Sequence, residues 1–369
     1  MSDALYSPSL EGVVVGQTAI SDVDGAQGRL SYRGVAIDEL AKWPYLDVAL
    51  LVITGKRAPA AQIEAWNTWM LGHCQLSPRE RSWLELLPPS LHTMEVLQSA
   101  APALAAQVLQ PPAGIEADPD LLRGLFIAAK LPAFLAAKYR QDQKLVLVEQ
   151  QEGSSLNERF LFLLHGSLPT AEQVRALDTV QILQLEHSYN AGTFAGRVCA
   201  STNAPIASSI SASIGTLFGN LHGGADEAVM GMAKRIGRLD NVKPYIDQLL
   251  GEKGKVMGMG HREYKRLDPR AAILKPMAEA LCHDAAARDN FELLKEIERY
   301  SRERFLKKGK DIWANLEFYK GAVFEALGIA PAYYTGVFAC SRVFGYVAHF
   351  MEFRPVRKLI RPRAQYRPQ

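Results

Sequence analysis

Cysteine is scarce in this chain: Cys74, Cys199, Cys282 and Cys340 are the only four in 369 residues. None stands in a C-x-x-C pair and no histidine spacing completes a zinc site, which argues against a zinc module or a disulfide scaffold. Reduced thiols in a cytosolic protein are expected. An excess of one charge is also lacking, since 42 Lys and Arg offset 39 Asp and Glu to leave a formal net charge of +3. Basic residues cluster only between Arg354 and Arg367, and that tail reads equally well as a solvated end, so nothing demands nucleic acid as a partner. The longest apolar stretch, Tyr333 to Phe353, is interrupted by Arg342, His349 and Glu352, which are costly in lipid. It reads as a buried helix, and no membrane partner is expected. The opening MSDALYSPSLEG carries no basic region followed by an apolar run, so a secretory leader is not expected. No fixed-period repeat and no low-complexity linker is visible.

What the chain does contain is ordinary globular composition, 48% hydrophobic and 22% charged, with length enough for two cores. Between Gly12 and Tyr32, apolar and polar residues alternate around Asp24-Gly25 and Gln27-Gly28, predicting a short hairpin or two small strands. Beyond Asp38 the apolar spacing becomes helical, through Val48 to Ile53, Ala60 to Leu71, Met94 to Leu109, Leu121 to Tyr139 and Leu156 to Leu164. Pro44, Pro59, Pro88-Pro89, Pro111-Pro112 and Pro169 mark entries and exits. A mainly α protein follows. Two glycine-rich turns, Gly219 to Gly224 and Gly258 to His261, bracket the expected smaller domain, where glycine lets the backbone approach a ligand or act as a hinge.

Four histidines need weighing: His187, His222, His261 and His349. A lone histidine is more often structural than catalytic. His222 and His261 differ because each lies in a glycine-rich turn ahead of a predicted helix, where backbone N–H groups and the helix dipole keep imidazole neutral and able to polarise a carbonyl. In LDPRAAIL, Asp268 reads as an N-cap and Pro269 as the first helical residue, placing Arg270 in a first turn that disfavours a cation. An anion beside Arg270 would explain the placement. Arg342 in VFACSRVFGYVAHF is a second anomaly, expensive unless a carboxylate or phosphate meets it. Arg361 is a third cation, and for each arginine alone a structural salt bridge is an equal explanation. Together these groups suit a small molecule bearing two carboxylates and a carbonyl. Glu317, between Leu316 and the aromatic pair Phe318 and Tyr319, is a candidate general base raised by desolvation; alone, it would read as an exposed loop acid.

In order along the chain, LSYRGVAIDELA, LEHSYNAGTFAGRVCAST, GTLFGNLHGGADEAVM, VMGMGHREYKRLDPRA, NLEFYKGAVFEALGI and CSRVFGYVAHFMEF followed by IRPRAQY resemble the citrate synthase family, including citrate synthases and 2-methylcitrate synthases. The resemblance covers nearly the whole chain. It implies an almost all-α homodimer with a large domain, 1–221 and 329–369, for dimerisation and a 2-oxo acid, and a small domain, 222–328, that binds acyl-CoA and closes. By motif, His222 would stabilise the enol or enolate of the thioester, Glu317 would take the carbon-bound proton, and His261 would polarise and protonate the keto oxygen. His187, Arg270 and Arg342 would hold the oxo acid, with Arg361 reaching across from the partner subunit. Met257, Gly258, Met259 and Gly260 would approach the adenine through their backbone. Lys265, one helical turn after His261, would meet CoA phosphate. The mechanism implied needs no metal and no permanently bound cofactor; acyl-CoA is a co-substrate whose thioester is finally hydrolysed.

Four positions depart from the family pattern. Glu317 stands where aspartate is usual, and its extra methylene displaces the carboxylate by about one ångström, a shift that can cost about a hundredfold in rate. Asp226 replaces the asparagine that follows His-Gly-Gly-Ala, Thr335-Gly336 replaces Thr-Pro, and His92-Thr93-Met94 replaces His-Pro-Met. Three readings remain at this point: a citrate or 2-methylcitrate synthase adapted to Glu317, a condensing enzyme for another oxo acid such as phosphonopyruvate, or a metabolite-binding relative.

Overall fold

The computed structural model describes residues 7, 9–149 and 152–367. Near the start, β1 (Ser21–Asp24), β2 (Arg29–Tyr32) and β3 (Val35–Ala36) form an antiparallel sheet in that order, with Ser21 opposite Tyr32 and Asp24 opposite Arg29. Leu30 and Tyr32 point into the core on alternate positions of β2, the period a half-buried strand requires. The expected hairpin is present, with one further short strand.

Helices follow: α1 (Ile37–Leu40), α2 (Tyr45–Thr54), α3 (Ala60–His73), α4 (Pro78–Leu86), α5 (Thr93–Ala103), α6 (Pro119–Asp142), α7 (Leu156–His165) and α8 (Ala171–Gln184). Then come α9 (Ala191–Ala200), α10 (Ile206–Leu217), α11 (Ala225–Ile236), α12 (Val242–Gly251), α13 (Pro269–Ala280), α14 (Ala285–Leu306), α15 (Leu316–Ala326) and α16 (Tyr334–Phe353). Side-chain caps start many of them: Ser77 and Thr170 close capping boxes, and Asp118, Ser155, Asn190, Asp268, Asp284 and Asn315 each accept a first-turn N–H, satisfying donors the helix leaves orphaned. The helix expected to run to Leu109 ends at Ala103 and tightens into a 3-10 turn over Leu104–Ala106. Pro102, in its last turn, supplies no N–H to continue the ladder.

The centre of the molecule is α16. Every residue from Tyr334 to Phe350 is buried, and the helix packs against α2, α5, α6, α8, α9 and α10, as a helix apolar all round must. Among the described residues no single helix is long and apolar enough to cross a membrane. A second group gathers around α15, which packs against α11, α13 and α14 and meets α16 at a bend of 115°. The four cysteines form no disulfide, and Cys74, Cys282 and Cys340 are buried.

Candidate active site

After α8 the chain runs irregularly to Asn190, the N-cap of α9. His187 lies on this stretch, buried, with Nε2 3.0 Å from the Tyr264 hydroxyl. Tyr264 and His261 share the loop that precedes α13, and the rings of His187 and His261 stand 5.2 Å apart. The β1–β2 turn holds this loop: Lys265 N–H donates to Gly25 O at 2.9 Å, and a Cβ on Gly25 would lie 2.1 Å from Glu263 O. Only glycine permits that approach.

Within the loop, His261 Nδ1 accepts the backbone N–H groups of Glu263 at 3.0 Å and Tyr264 at 3.3 Å. A neutral ring so engaged carries its hydrogen on Nε2. That atom is 3.3 Å from Arg270 Nη2, so two donors stand side by side and together fit an oxygen of a ligand. Burial and the positive charge of Arg270 push His261 down to about 4. Burial, Arg270, His261 and Arg342 likewise push His187 well below its ordinary value. Both rings are therefore neutral at neutral pH.

Arg270 is fixed from behind. Asp268 caps α13 by accepting Arg270 N–H at 3.0 Å, and its carboxylate accepts from Arg270 Nε at 3.0 Å and Nη2 at 2.8 Å. The anion that this first-turn arginine requires is thus its own N-cap residue. Asp268 Oδ2 also accepts Leu316 N–H at 3.2 Å, so one buried carboxylate ties the start of α13 to the start of α15. Asn315 caps α15 by accepting Glu317 N–H at 3.0 Å and donates from Nδ2 to Gly260 O at 2.8 Å. Gly260 N–H reaches Trp313 O at 2.7 Å, and Asn315 N–H reaches Gly258 O at 2.9 Å. The turn over Met257, Gly258, Met259 and Gly260 is thereby stitched to the segment that delivers Glu317. At Gly258, φ is +75° and a Cβ would lie 2.6 Å from Val229 Cγ2, so glycine is required twice over.

His222 sits on the turn between α10 and α11. Gly192 N–H donates to its Nε2 at 3.3 Å, leaving the hydrogen of the neutral ring on Nδ1. Asn190 Oδ1 is also 3.3 Å from Nε2 but already accepts Thr193 N–H. Burial, then Arg342 and Lys320, push His222 down to about 4. Arg342, 2% exposed, donates from Nε to the Gln184 carbonyl at 2.6 Å, and its guanidinium carbon stands 4.7 Å from the Phe338 ring centre. The carboxylate expected to pair with it is not in contact; buried Glu186 supplies negative charge nearby. Burial alone would raise the Glu186 carboxyl, but His349 and Arg342 hold it below its ordinary value.

Glu317 occupies the first turn of α15, where the helix dipole favours an acid. The all-apolar shell expected around it is corrected: Leu316, Phe318 and Tyr319 are buried, but the Glu317 carboxylate forms an ion pair with Lys320. Lys320 in turn lies 3.1 Å from Asp226, and both are fully buried. Other expectations are also revised. His261 does not directly precede a helix, because an irregular stretch separates it from α13; its neutrality comes from burial and Arg270. For the same reason Lys265 is not a helical turn away; it is exposed and donates to Arg262 O at 3.1 Å. Arg361 is exposed on the tail beyond α16 and donates to Pro362 O at 2.5 Å; within one chain it is not drawn into this cluster. His349 is structural, donating to Glu186 at 2.9 Å while its Nδ1 accepts from Arg197 at 2.9 Å.

Sequence reasoning passed over Tyr264 and Lys320. Lys320 had a signal of the same kind as Arg342, a cation among Phe318, Tyr319, Val323 and Phe324. Tyr264 had none, because the loop that buries it has no periodicity. Among the described residues no group of three or more His, Cys, Asp or Glu is arranged to hold a metal ion.

The family profile described as citrate synthase, C-terminal domain, matches residues 9–363. The chain is 35% identical to a citrate synthase of Synechocystis over 98% of its own length and 91% of that protein's. It is 32% identical to a 2-methylcitrate synthase of Shewanella oneidensis, covering 99% and 96%. Among solved structures, citrate synthase of Thermotoga maritima superposes with a TM-score of 0.87 at 33% identity, covering 99% of this chain and 96% of that one. Citrate synthase of Thermoplasma acidophilum, solved as a ternary complex with carboxymethyl coenzyme A and oxaloacetate, gives 0.88 at 27% identity, covering 98% and 96%. With a profile match across nearly the whole chain and relatives of this identity and coverage, the chain belongs to the citrate synthase family and is an enzyme of that type.

Proposed function

We propose that this enzyme condenses acetyl-CoA, or propionyl-CoA, with oxaloacetate and hydrolyses the resulting thioester to release CoA and a citrate-type product. The observation that carries the reading is the paired donor set of His261 Nε2 and Arg270 Nη2, 3.3 Å apart, backed by a neutral His222 and by Glu317 on the helix that Asp268 ties to Arg270. Arg270, Arg342 and His187 hold the two carboxylates and carbonyl of the oxo acid. Glu317 takes a proton from the carbon beside the thioester, and His222 Nδ1–H stabilises the enolate oxygen that forms. The enolate carbon attacks the keto carbon while His261 Nε2–H protonates the keto oxygen. Water then cleaves the thioester, which makes the sequence practically irreversible.

The Met257 to Gly260 turn accepts the adenine along its backbone, and Lys265 meets CoA phosphate. Residues 222–328 move as the small domain, closing on 1–221 and 329–369 to exclude water. The enzyme works as a two-fold dimer in which Arg361 completes the oxo acid site of the partner subunit. Acetyl and propionyl differ by one methylene, which a pocket separates by about 1–3 kcal/mol.

The test compares the wild type with Glu317→Gln. The wild type is expected to release CoA only when oxaloacetate is present. The variant is expected to bind oxaloacetate unchanged and release no CoA; undiminished turnover by the variant would remove Glu317 from the role of base.

A further inference from the structure

Lys320 has no exposed surface, an expensive position for an ammonium. A structural ion pair accounts for one carboxylate, and Asp226, equally buried at 3.1 Å, supplies it. The second carboxylate is unaccounted for. Glu317, three residues earlier on α15 and with its side chain 16% exposed, also pairs its Oε2 with Lys320 Nζ. Asp226 Oδ2 and Glu317 Oε2 thus both face the Lys320 ammonium, so two carboxylates share one buried cation. The ammonium is further fixed 4.2 Å from the centre of the Phe338 ring, the same ring that Arg342 overlies at 4.7 Å. One aromatic side chain of α16 thus locates both the cation behind Glu317 and an arginine of the oxo acid cluster.

Taking Glu317 as the base in the function proposed above, we infer that Lys320 is a positioning residue for it, drawing Oε2 back against α15 and leaving Oε1 as the oxygen that takes the proton. This answers the geometric problem of the longer acid. A glutamate swings its carboxylate through more rotamers than an aspartate, and an ammonium at i+3 on the same helix face selects one of them. Asp226 is the counter-charge that lets Lys320 be buried at all. Burial raises the Asp226 carboxyl to about 7 against the opposing pull of Lys320, with Glu317 adding to the rise. In the step itself, the C–H bond beside the thioester breaks, its proton goes to Glu317 Oε1 and its electron pair to the enolate.

The experiment compares the wild type, Lys320→Met and the double variant Asp226→Asn/Lys320→Met, recording kcat, KM for both substrates, the melting temperature, and the primary isotope effect with trideuterated acetyl-CoA. Lys320→Met is expected to lower the melting temperature because Asp226 loses its partner. The double variant is expected to recover it, since both members of the buried pair are then neutral. In both variants kcat is expected to fall by about a hundredfold, the size of effect a one-ångström misplacement produces, with KM for oxaloacetate changed less than about twofold and a larger isotope effect, as proton abstraction becomes slower. A double variant that folds and turns over at the wild-type rate, or a slow one with an unchanged isotope effect, would overturn the inference and leave the functional proposal standing. A wild type that releases no CoA overturns the functional proposal and this inference with it.

Discussion

Arg270 Nη2 lies 3.3 Å from His261 Nε2, and both are donors, because backbone N–H groups occupy His261 Nδ1. Neither group satisfies the other, so the pair is complementary to an oxygen carrying negative charge. Replacing His261 by Ala removes one donor from that position. The expected loss is roughly 100-fold to 1,000-fold in kcat, the cost of one such donor elsewhere, with acyl-CoA binding retained. Steady-state kinetics beside equilibrium binding of CoA would check both halves; an unchanged kcat would mean that the keto oxygen sits elsewhere.

Arg270→Leu should damage fold and site together. Asp268, which accepts from Arg270 at three atoms and from Leu316 N–H, would be left a buried charge without its counter-ion, a change worth about 3–5 kcal/mol. Urea denaturation is expected to register that loss at neutral pH. Burial would raise the Asp268 carboxyl from 3.8, but Arg270 and its hydrogen bonds hold it lower. Its contribution is therefore present above pH 3.8 and lost as pH falls through the folded value. The stability gap between wild type and variant should narrow in acid; a gap that widens would contradict this.

The histidines act in the same direction, over a higher pH window. His222 and His261 titrate at about 4 in the folded chain against 6.5 when unfolded. The unfolded chain binds more protons between those values, so their contribution to stability falls as pH drops from 6.5 toward 4. Catalysis should show no acid limb from either ring between about pH 5 and 8, where an ordinary histidine would titrate. A histidine-dependent loss of kcat near pH 6.5 would show that a ring is charged in the working enzyme.

Gly25→Ala tests how the hairpin supports the site. The added Cβ would sit 2.1 Å from Glu263 O, so the turn must retreat from the loop that carries His261. A cost of about 1–3 kcal/mol, typical of overpacking, is expected in thermal unfolding, with a raised KM for oxaloacetate. A variant with normal KM would mean that the loop keeps its place without the hairpin.

Much of this was legible in the chain. Asp268 and Pro269 announced the start of α13, and the long apolar stretch from Tyr333 to Phe353 announced a buried helix, because capping and burial leave local marks. The ordered motifs singled out His222, His261, Arg270 and Glu317 as the residues the proposed chemistry would use. What stayed hidden depends on how distant segments face each other. The sequence put Glu317 beside apolar neighbours, but its side chain meets Lys320 one helical turn on, and Lys320 needs Asp226 from another helix. Tyr264 and the stitching of Gly258 and Gly260 to Asn315 lie in aperiodic loops, where spacing carries no information about contact. The apolar period after Met94 continues past the true end of the helix, because Pro102 ends the hydrogen-bond ladder without breaking the hydrophobic pattern.

The measurement that bears most directly on the whole account is the initial rate of CoA release by the purified protein from acetyl-CoA and propionyl-CoA, each with oxaloacetate, pyruvate, 2-oxoglutarate or phosphonopyruvate. The account predicts turnover that depends on oxaloacetate, with one CoA released per citrate-type product. Turnover restricted to another oxo acid, or none with any pair, would contradict it.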